Sequence, residues 1–201
     1  MFSLRRPKNT RVRDLLDSLQ TADFTYDAIG CLRRETPQGF NRDRLTVALG
    51  RGKAVWENAR AVVRAWGVFP EEMVSVVRLT DDVAVGNVLA IVCRAAGLWT
   101  VNPTRILSVI DHTSGSHNRY GFAFGTLPGH IALGEESFTI DWDEVTDEVT
   151  YTIESVSRPR HPLLWLAYPY ARLVQARFRR LSGRQLRRRV QQASSNIGAV
   201  V

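Results

Sequence analysis

The sequence predicts an α+β fold, in which a curved antiparallel sheet of about six to seven strands wraps around a long C-terminal helix. Between residues 73 and 157, stretches of apolar side chains recur at every second position, as is typical of strands. Between residues 163 and 181 they recur at intervals of three and four and form one apolar helix stripe. The concave face of the sheet is the simplest place to bury that stripe.

The strands are predicted from alternating or β-branched runs that end at turn residues. The clearest lies near Tyr120–Gly125, where bulky aromatic residues alternate with Gly and Ala. Asn102-Pro103 and the segment 113–116 are predicted as turns. The predicted strands are Leu45–Leu49, Val74–Leu79, Val85–Arg94, Thr104–Ile110, Arg119–Gly125, His130–Trp142 and Val149–Val156.

Helical spacing predicts three helices. The first covers Thr10–Gln20, and the second runs from Lys53 to Trp66, after which a glycine ends it. The third carries the apolar stripe. Pro169 is predicted to kink or offset its first turns, and Gly183 to interrupt its far end.

These elements divide the chain into three predicted parts. A short helix and an irregular arm occupy 1–44, the sheet-and-helix domain occupies 45–181, and a basic, partly disordered tail occupies 182–201. The net charge of +7 is unevenly distributed, because residues 158–201 contain ten arginines and no Asp, Glu or Lys. The positive excess therefore lies at the C-terminal end.

Composition favours a cytoplasmic protein. Cys31 and Cys93 are too few for a disulfide framework and are interpreted as reduced. The N-terminus lacks the apolar run of a signal peptide. The longest uncharged runs are shorter than the roughly 18–20 residues that a membrane span needs.

Neither a metal nor a cofactor is predicted. The four histidines include no i, i+4 pair and the chain has no Cys-x-x-Cys motif. The glycines around Arg51 do not form a phosphate-binding loop, since Val47 stands where such a loop has glycine and Ala54 follows the lysine. A Gly-x-Ser-x-Gly nucleophile motif is also missing from the sequence.

Several motifs resemble, in the right order, the uncharacterised family numbered 1990 among domains of unknown function. The resemblance covers residues 26–181 and is carried by Gly50-Arg51-Gly52 with Trp56 and Ala59, Asn102-Pro103, Tyr120–His130, Gly134–Phe138, Ser157-Arg158-Pro159 and Tyr168–Phe178. At fold level that family resembles the START-like, birch-pollen-allergen-like helix-grip superfamily. The resemblance implies an internal cavity that binds an apolar or amphipathic small molecule. It implies no particular reaction, since members of the superfamily include both carriers and cyclases.

Strand parity singles out two polar residues in the strand predicted at 130–142. His130 and Glu136 share a face with the apolar residues Phe138 and Ile140, so both should point inward if the pleat is unbroken. In a cavity they can orient a polar ligand group or act as acid and base, which leaves a cyclase or hydrolase open as an alternative. A bulge at Gly134 would instead turn one of them towards water.

Aromatic residues are the candidate walls of the ligand cavity, with Arg119 as a further group that can orient the polar end. Each aromatic can equally be plain core. Arg51 is a candidate anion contact at a helix N-terminus, or else a solvated residue in a tight turn. The candidate wall residues are Tyr120, Phe122, Phe124, Phe138, Tyr151 and Trp165.

The arginines of the last helix are candidates for contact with an anionic membrane surface. A solvated helix face is the alternative interpretation. Nucleic acid is the less favoured partner, because no aromatic platform for bases lies beside these arginines. The candidate residues are Arg179, Arg180, Arg184, Arg187, Arg188 and Arg189.

Overall fold

A computed structural model describes residues 2–160 and 168–198 of the chain. The helices of these ranges are α1 (Asn9–Ser18), α2 (Lys53–Arg64) and α3 (Tyr168–Gly198), with a single 3-10 turn at Cys31–Arg33. The strands are β1 (Phe2–Ser3), β2 (Asn41–Arg51), β3 (Val74–Arg78), β4 (Val88–Ala95), β5 (Leu98–Ser114), β6 (His117–Thr126), β7 (Ala132–Asp143) and β8 (Glu148–Pro159).

One antiparallel sheet contains all of these strands. Its order is β2-β8-β7-β6-β5-β4-β3, and the two-residue β1 pairs with β5. The sheet curves around α3, and α2 packs against both α3 and the sheet. The predicted α+β fold, with a curved antiparallel sheet around a C-terminal helix, is confirmed.

Cross-strand partners on the inner face form rows that run across β2, β8, β7 and β6, because residues directly opposite one another point to the same side of a sheet. Two rows are apolar except for the tyrosine hydroxyls and supply much of the core. The next row, which we call the polar row, carries two carboxyl groups. The apolar rows are Val47–Tyr151–Ile140–Tyr120 and Leu45–Ile153–Phe138–Phe122, and the polar row is Asp43–Ser155–Glu136–Phe124.

The second half of α3 packs tightly against the apolar rows. Its buried Ser182 shares a hydrogen bond with the Tyr151 hydroxyl, at 2.8 Å between the oxygens. A Cβ at Gly183 would lie only 2.8 Å from Cγ2 of Val47, so the glycine permits close contact between α3 and β2. Leu186 completes the contact as a fully buried side chain.

This packing corrects the predicted tail. Residues 182–198 continue α3 with no break at Gly183, so the helix extends past the predicted domain boundary at residue 181. The reason is a repeat of buried side chains at intervals of four, Ser182, Leu186 and Val190, which the surrounding arginines hide in the sequence. The sheet also begins earlier than predicted, because β2 starts at Asn41.

The first part of α3 also departs from the predicted stripe. Tyr170 and Leu173 belong to the apolar stripe predicted between residues 163 and 181, but they are 47% and 66% exposed. The turns that the predicted kink at Pro169 concerns fall within residues 161–167, outside the described residues.

The turn predicted at Asn102-Pro103 is wrong, since both residues lie inside β5. Pro103 pairs with Ala90 of β4, and its carbonyl accepts a hydrogen bond from the Leu127 N–H just past the end of β6. In a strand, the backbone N–H and the carbonyl of one residue point to the same side. An N–H at position 103 would therefore point towards β6, which has already ended at Thr126. Proline therefore costs this sheet no ladder hydrogen bond.

The outer face of β7 is covered by the segment between α1 and β2. Glu135 anchors it there with only 2% of its surface exposed. Its Oε1 accepts from the Tyr26 hydroxyl at 3.0 Å and from the Gly30 N–H at 2.5 Å, and its Oε2 accepts from the Leu32 N–H at 3.2 Å. Both carboxylate oxygens of Glu135 are thus occupied.

Candidate functional site

A cavity of about 180 Å³ lies between the sheet and the first part of α3. It occupies the end of the inner face that contains the polar row, where α3 no longer packs directly on the sheet. Most of its wall is apolar. The apolar side chains that line it include Met73, Val74, Ile91, Phe124, Val174 and Phe178.

Glu136 and His130 both line this cavity. The pairing of β7 with β8 runs through Gly134 without a register shift, and the pairing with β6 is regular as far as Glu135, so the parity that sends Glu136 inward is preserved. Gly134 is required for another reason: its φ is 135°, and a Cβ there would lie 2.0 Å from the carbonyl oxygen of Val156. Close approach of β7 to β8, and not a bulge, explains this glycine.

The Glu136 carboxyl is an acid without a direct partner. It forms no hydrogen bond or ion pair with any residue in the described ranges 2–160 and 168–198. Burial raises the pKa of Glu136 to about 7; the positive charge of Arg179 opposes this shift and the negative charge of Asp43 adds to it. Near neutral pH the group can therefore hold or release a proton.

His130 follows the turn after β6 and is neutral at physiological pH. Burial lowers the pKa of its ring to about 4. Nδ1 of the ring lies 2.9 Å from the backbone nitrogen and 3.0 Å from the carbonyl oxygen of Ala132. The ring can thus contribute its second nitrogen, Nε2, to the site without adding charge.

Two arginines of α3 converge on Asp43 at the edge of the polar row. Arg172 binds both carboxylate oxygens, with its Nη2 2.6 Å from Oδ1 and its Nη1 on Oδ2. Arg179, only 8% exposed, places its Nη2 3.2 Å from the same Oδ1 and also lines the cavity. Burial alone would raise the pKa of Asp43, but the two guanidinium groups outweigh it and hold the pKa below its usual value. Asp43 is therefore ionised and largely neutralised by Arg172.

Two of the predicted polar contacts lie away from the cavity. Arg51 is exposed at the end of β2, where it pairs with Glu148 at 3.3 Å, whereas the cavity lies at the opposite end of β8. Arg119 is on the outer side of β6 and pairs with Asp141 at 2.5 Å. Both arginines form surface ion pairs instead of facing a ligand.

Most of the predicted aromatic walls belong to the core beside the cavity. Among the described aromatic candidates, only Phe124 lines the cavity itself. Phe122 and Phe138 pack behind it with tilted rings whose centroids are 5.3 Å apart, and Tyr151 is fully buried under Ser182. Tyr120 lies beneath Arg60, whose guanidinium carbon is 5.2 Å from the ring centroid. The remaining candidate, Trp165, lies outside the described residues.

The six arginines predicted as membrane contacts do not share one environment. Arg179 is buried in the cavity wall, so its prediction as an exposed contact is wrong. Arg189 is half-buried and pairs with Glu71 at 2.5 Å. The other four are exposed along α3: Arg180, Arg184, Arg187 and Arg188.

Sequence reasoning missed Asp43 and identified Arg179 for the wrong role. Both left a signal. Asp43 alternates with Leu45 and Val47, which places it on the inner face of a strand that starts earlier than expected. Arg179 precedes Ser182 by three residues and Leu186 by seven, the spacing of one helix face.

Within the described residues, no group of three or more His, Cys, Asp or Glu side chains is placed to hold a metal ion. None of the helices in that part of the chain is long and apolar enough to span a membrane. Cys93, which lines the cavity, is held as a neutral thiol, because burial raises its pKa despite hydrogen bonds with Thr100 and Asn102.

Comparison with known sequences identifies relatives from several kingdoms. A family model described as "Domain of unknown function (DUF1990)" matches residues 25–185. The UPF0548 protein of Deinococcus radiodurans is 29% identical over 200 residues, covering 92% of this chain and 97% of that protein. The UPF0548 proteins of Arabidopsis thaliana and Dictyostelium discoideum are 28% and 27% identical over 195 residues, covering 90% and 89% of this chain and 93% and 90% of theirs.

Solved structures share the fold at low sequence identity. Human STARD10 superposes with a TM-score of 0.50 at 10% identity, covering 97% of this chain and 86% of that chain. The protein TTHA0849 of Thermus thermophilus also gives 0.50, at 13% identity, covering 77% of this chain and 99% of that chain. The START-like helix-grip fold implied by the sequence motifs is confirmed.

Proposed function

This chain belongs to the DUF1990 family, and we propose that it binds a small amphipathic molecule in the cavity between the sheet and α3. One observation carries the proposal: an apolar cavity contains a carboxyl group, Glu136, that no described residue hydrogen-bonds. An unpaired polar group inside a protein is unfavourable unless a proton, water or ligand satisfies it. Pockets that bind small molecules have this composition, with mostly apolar walls and a few polar groups that orient the ligand.

The proposal is tested by extracting purified protein with organic solvent and identifying the bound molecule by mass spectrometry. Val174→Trp should fill the cavity and prevent recovery of the ligand, because Val174 lines it. Leu173→Trp is the matched control, since this neighbouring side chain is 66% exposed and its substitution should leave recovery unchanged. If wild-type extracts contain no ligand and no small amphipathic probe raises the melting temperature, the proposal fails.

An anionic membrane surface is the partner that fits the exposed face of α3. Side chains at intervals of three and four residues share this face, which begins with the exposed Tyr170 and Leu173. Near an anionic leaflet each basic residue contributes on the order of 1 kcal/mol, so several together favour reversible attachment. Leu173 is adjacent to the cavity-lining Val174, and attachment would bring the cavity close to the lipid. The basic residues of this face are Arg177, Arg180, Arg184, Arg187 and Arg188.

Co-sedimentation with phosphatidylcholine vesicles, with and without phosphatidylserine, tests the membrane contact. Reversing Arg180, Arg184 and Arg187 to Glu should abolish binding to the anionic vesicles, and added salt should weaken it. The control reverses the exposed Arg11, Arg13 and Arg33, which lie on other elements. Equal binding by both triple variants, or binding to DNA but not to vesicles, would overturn this assignment.

Acid–base catalysis is the second candidate function. The observation that favours it is a carboxyl group with a pKa of about 7 in the same cavity wall as a neutral imidazole. Wild-type protein should then convert the extracted molecule to a product that mass spectrometry detects, whereas Glu136→Gln and His130→Gln should not. Recovery of the molecule unchanged after prolonged incubation would rule this function out.

A further inference from the structure

The polar end of the cavity presents two groups that face the same space without touching. Arg179 and Glu136 interact electrostatically, but no ion pair within 4.0 Å joins them. Arg179 approaches Asp43 with its Nη2 3.2 Å from Oδ1, and its N–H groups make no hydrogen bond with a described residue. Because Arg172 already binds both oxygens of Asp43, the positive charge of Arg179 is only partly compensated. Arg179 and Glu136 thus both line the cavity with hydrogen-bonding groups that no described residue engages, and we call the part of the cavity between them the gap.

The charges around this gap select the chemistry of the group that can fill it. A carboxylate would accept N–H donors from Arg179 and the O–H of a protonated Glu136, so every polar group would gain a partner. An ammonium group would pair with Glu136 but meet the charge of Arg179. An uncharged hydroxyl would add no negative charge and would leave the charge of Arg179 only partly compensated by Asp43.

The volume of the cavity limits the apolar part of the ligand. An engineered protein cavity of roughly 150 Å³ holds one benzene molecule. The cavity here measures about 180 Å³ and is walled by Ile91, Val174 and Phe178 among others. This space suits one aromatic ring or a short aliphatic chain, and a long-chain fatty acid or a sterol would extend beyond it.

We propose that the ligand is a small carboxylic acid with one aromatic ring or a chain of about six to eight carbons, whose carboxylate lies between Arg179 and Glu136. This inference rests on the proposed binding function and specifies its ligand class. Because Glu136 donates its proton to the bound carboxylate, binding weakens as the pH rises and Glu136 ionises. The other titratable or charged groups around Glu136 are Asp43 on β2, the neutral His130 after β6, Tyr151 on β8 and Arg172 and Arg179 on α3. Of these groups and Glu136, only Glu136 changes its charge near neutral pH.

Isothermal titration of the full chain with matched probes tests the inference. Octanoate and 3-phenylpropanoate should bind at least about tenfold more tightly than 1-octanol and 3-phenylpropan-1-ol, and more tightly than octylamine. Palmitate should bind more weakly than octanoate. The affinity for octanoate should fall on the order of tenfold between about pH 6 and about pH 8.5, while that for 1-octanol should stay constant.

Substitutions of Arg179 and Glu136 test whether these residues cause the preference for a carboxylate and its pH dependence. Arg179→Gln should weaken octanoate binding at least about tenfold and leave 1-octanol unaffected, whereas Arg180→Gln, on the exposed neighbour, should change neither. If Arg179→Gln does not fold, Arg179→Lys, which keeps the positive charge, replaces it in the same binding measurement. Glu136→Gln keeps an N–H donor but cannot titrate, so it should remove the pH dependence.

The outcomes separate this inference from the proposed function. If no probe with any head group binds, the proposed function fails. If alcohols or amines bind as tightly as acids, or if Arg179→Gln and Arg180→Gln behave alike, the function stands and the carboxylate assignment is overturned. Tighter binding of palmitate than of octanoate would overturn the size limit.

Discussion

Glu135 and Glu136 are consecutive residues of β7 with opposite situations. On the outer face, Glu135 receives hydrogen bonds from Tyr26, Gly30 and Leu32 and holds the N-terminal segment on the sheet. On the inner face, Glu136 meets an apolar cavity and receives none from a described residue. A buried carboxyl is stable only when donors satisfy it. Where the fold supplies the donors the residue is structural, and where it does not, a proton or a ligand must complete the site.

The largest expected effect comes from removing the glycine on which both faces depend. In Gly134→Ala the new Cβ would overlap the Val156 carbonyl oxygen at 2.0 Å, so β7 must move away from β8 and both glutamates lose their positions. We expect a loss of stability of about 4 kcal/mol or failure to fold, measured by urea unfolding. Gly115→Ala, at a turn with no atom within 4 Å of the new Cβ, is the control and should cost only about 1 kcal/mol. Similar losses in both variants would contradict the close approach of the strands.

Glu135→Gln tests the outer face alone. The substitution replaces one acceptor oxygen with an NH₂ group that opposes the N–H and O–H donors, so we expect a loss of about 3 kcal/mol of unfolding free energy. The segment between α1 and β2 should also become sensitive to limited proteolysis. The isosteric change Glu136→Gln should cause neither effect, and equal destabilisation by both would remove the distinction between the two faces.

Glu136→Gln is expected to stabilise the ligand-free protein above neutral pH. The folded-state pKa of Glu136 is about 7 and its unfolded value is 4.5, so the folded protein binds more protons between these values and loses stability as the pH rises. The glutamine variant avoids that loss and should gain about 3 kcal/mol near pH 8, falling to zero below about pH 4.5. Chemical unfolding at several pH values measures it. A gain that does not depend on pH would mean that Glu136 does not titrate in this range.

A smaller effect of opposite sign is expected from His130. Its folded-state pKa is about 4 against 6.5 in the unfolded chain, so the folded protein binds fewer protons in that interval and loses stability as the pH falls. His130→Gln should therefore gain about 2 kcal/mol near pH 5 and nothing near pH 8. Between about pH 4.5 and 6.5 the two groups oppose each other in the wild type, which should flatten its stability profile. A gain at pH 8 equal to that at pH 5 would point to packing instead of titration.

The sequence was sufficient to predict the inner position of Glu136, because the alternation of Phe138 and Ile140 fixes the faces of β7. It was not sufficient for Asp43. That residue lies between two arginines just after an irregular stretch broken by Pro37 and Gly39, and no apolar residue precedes it on the inner face to mark the start of β2.

The inward position of Arg179 could not be predicted for a different reason. Arginines follow one another along α3, and composition alone does not reveal which of them points inward. Only the phase set by Ser182 and Leu186 distinguishes Arg179 from its exposed neighbour Arg180. Long-range contacts, here with Asp43, decide the role of such a residue.

The pairing of Asp43 with Arg172 and Arg179 has a consequence for the assembly of the fold. The two arginines are seven residues apart, two turns of one helix, and both reach the same carboxylate. Rotating α3 by one residue, or sliding it by one turn, would separate at least one of these pairs and bring an unpaired guanidinium against the sheet. Asp43 thus fixes the rotation and position of α3 and determines which face of this arginine-rich helix packs against the sheet.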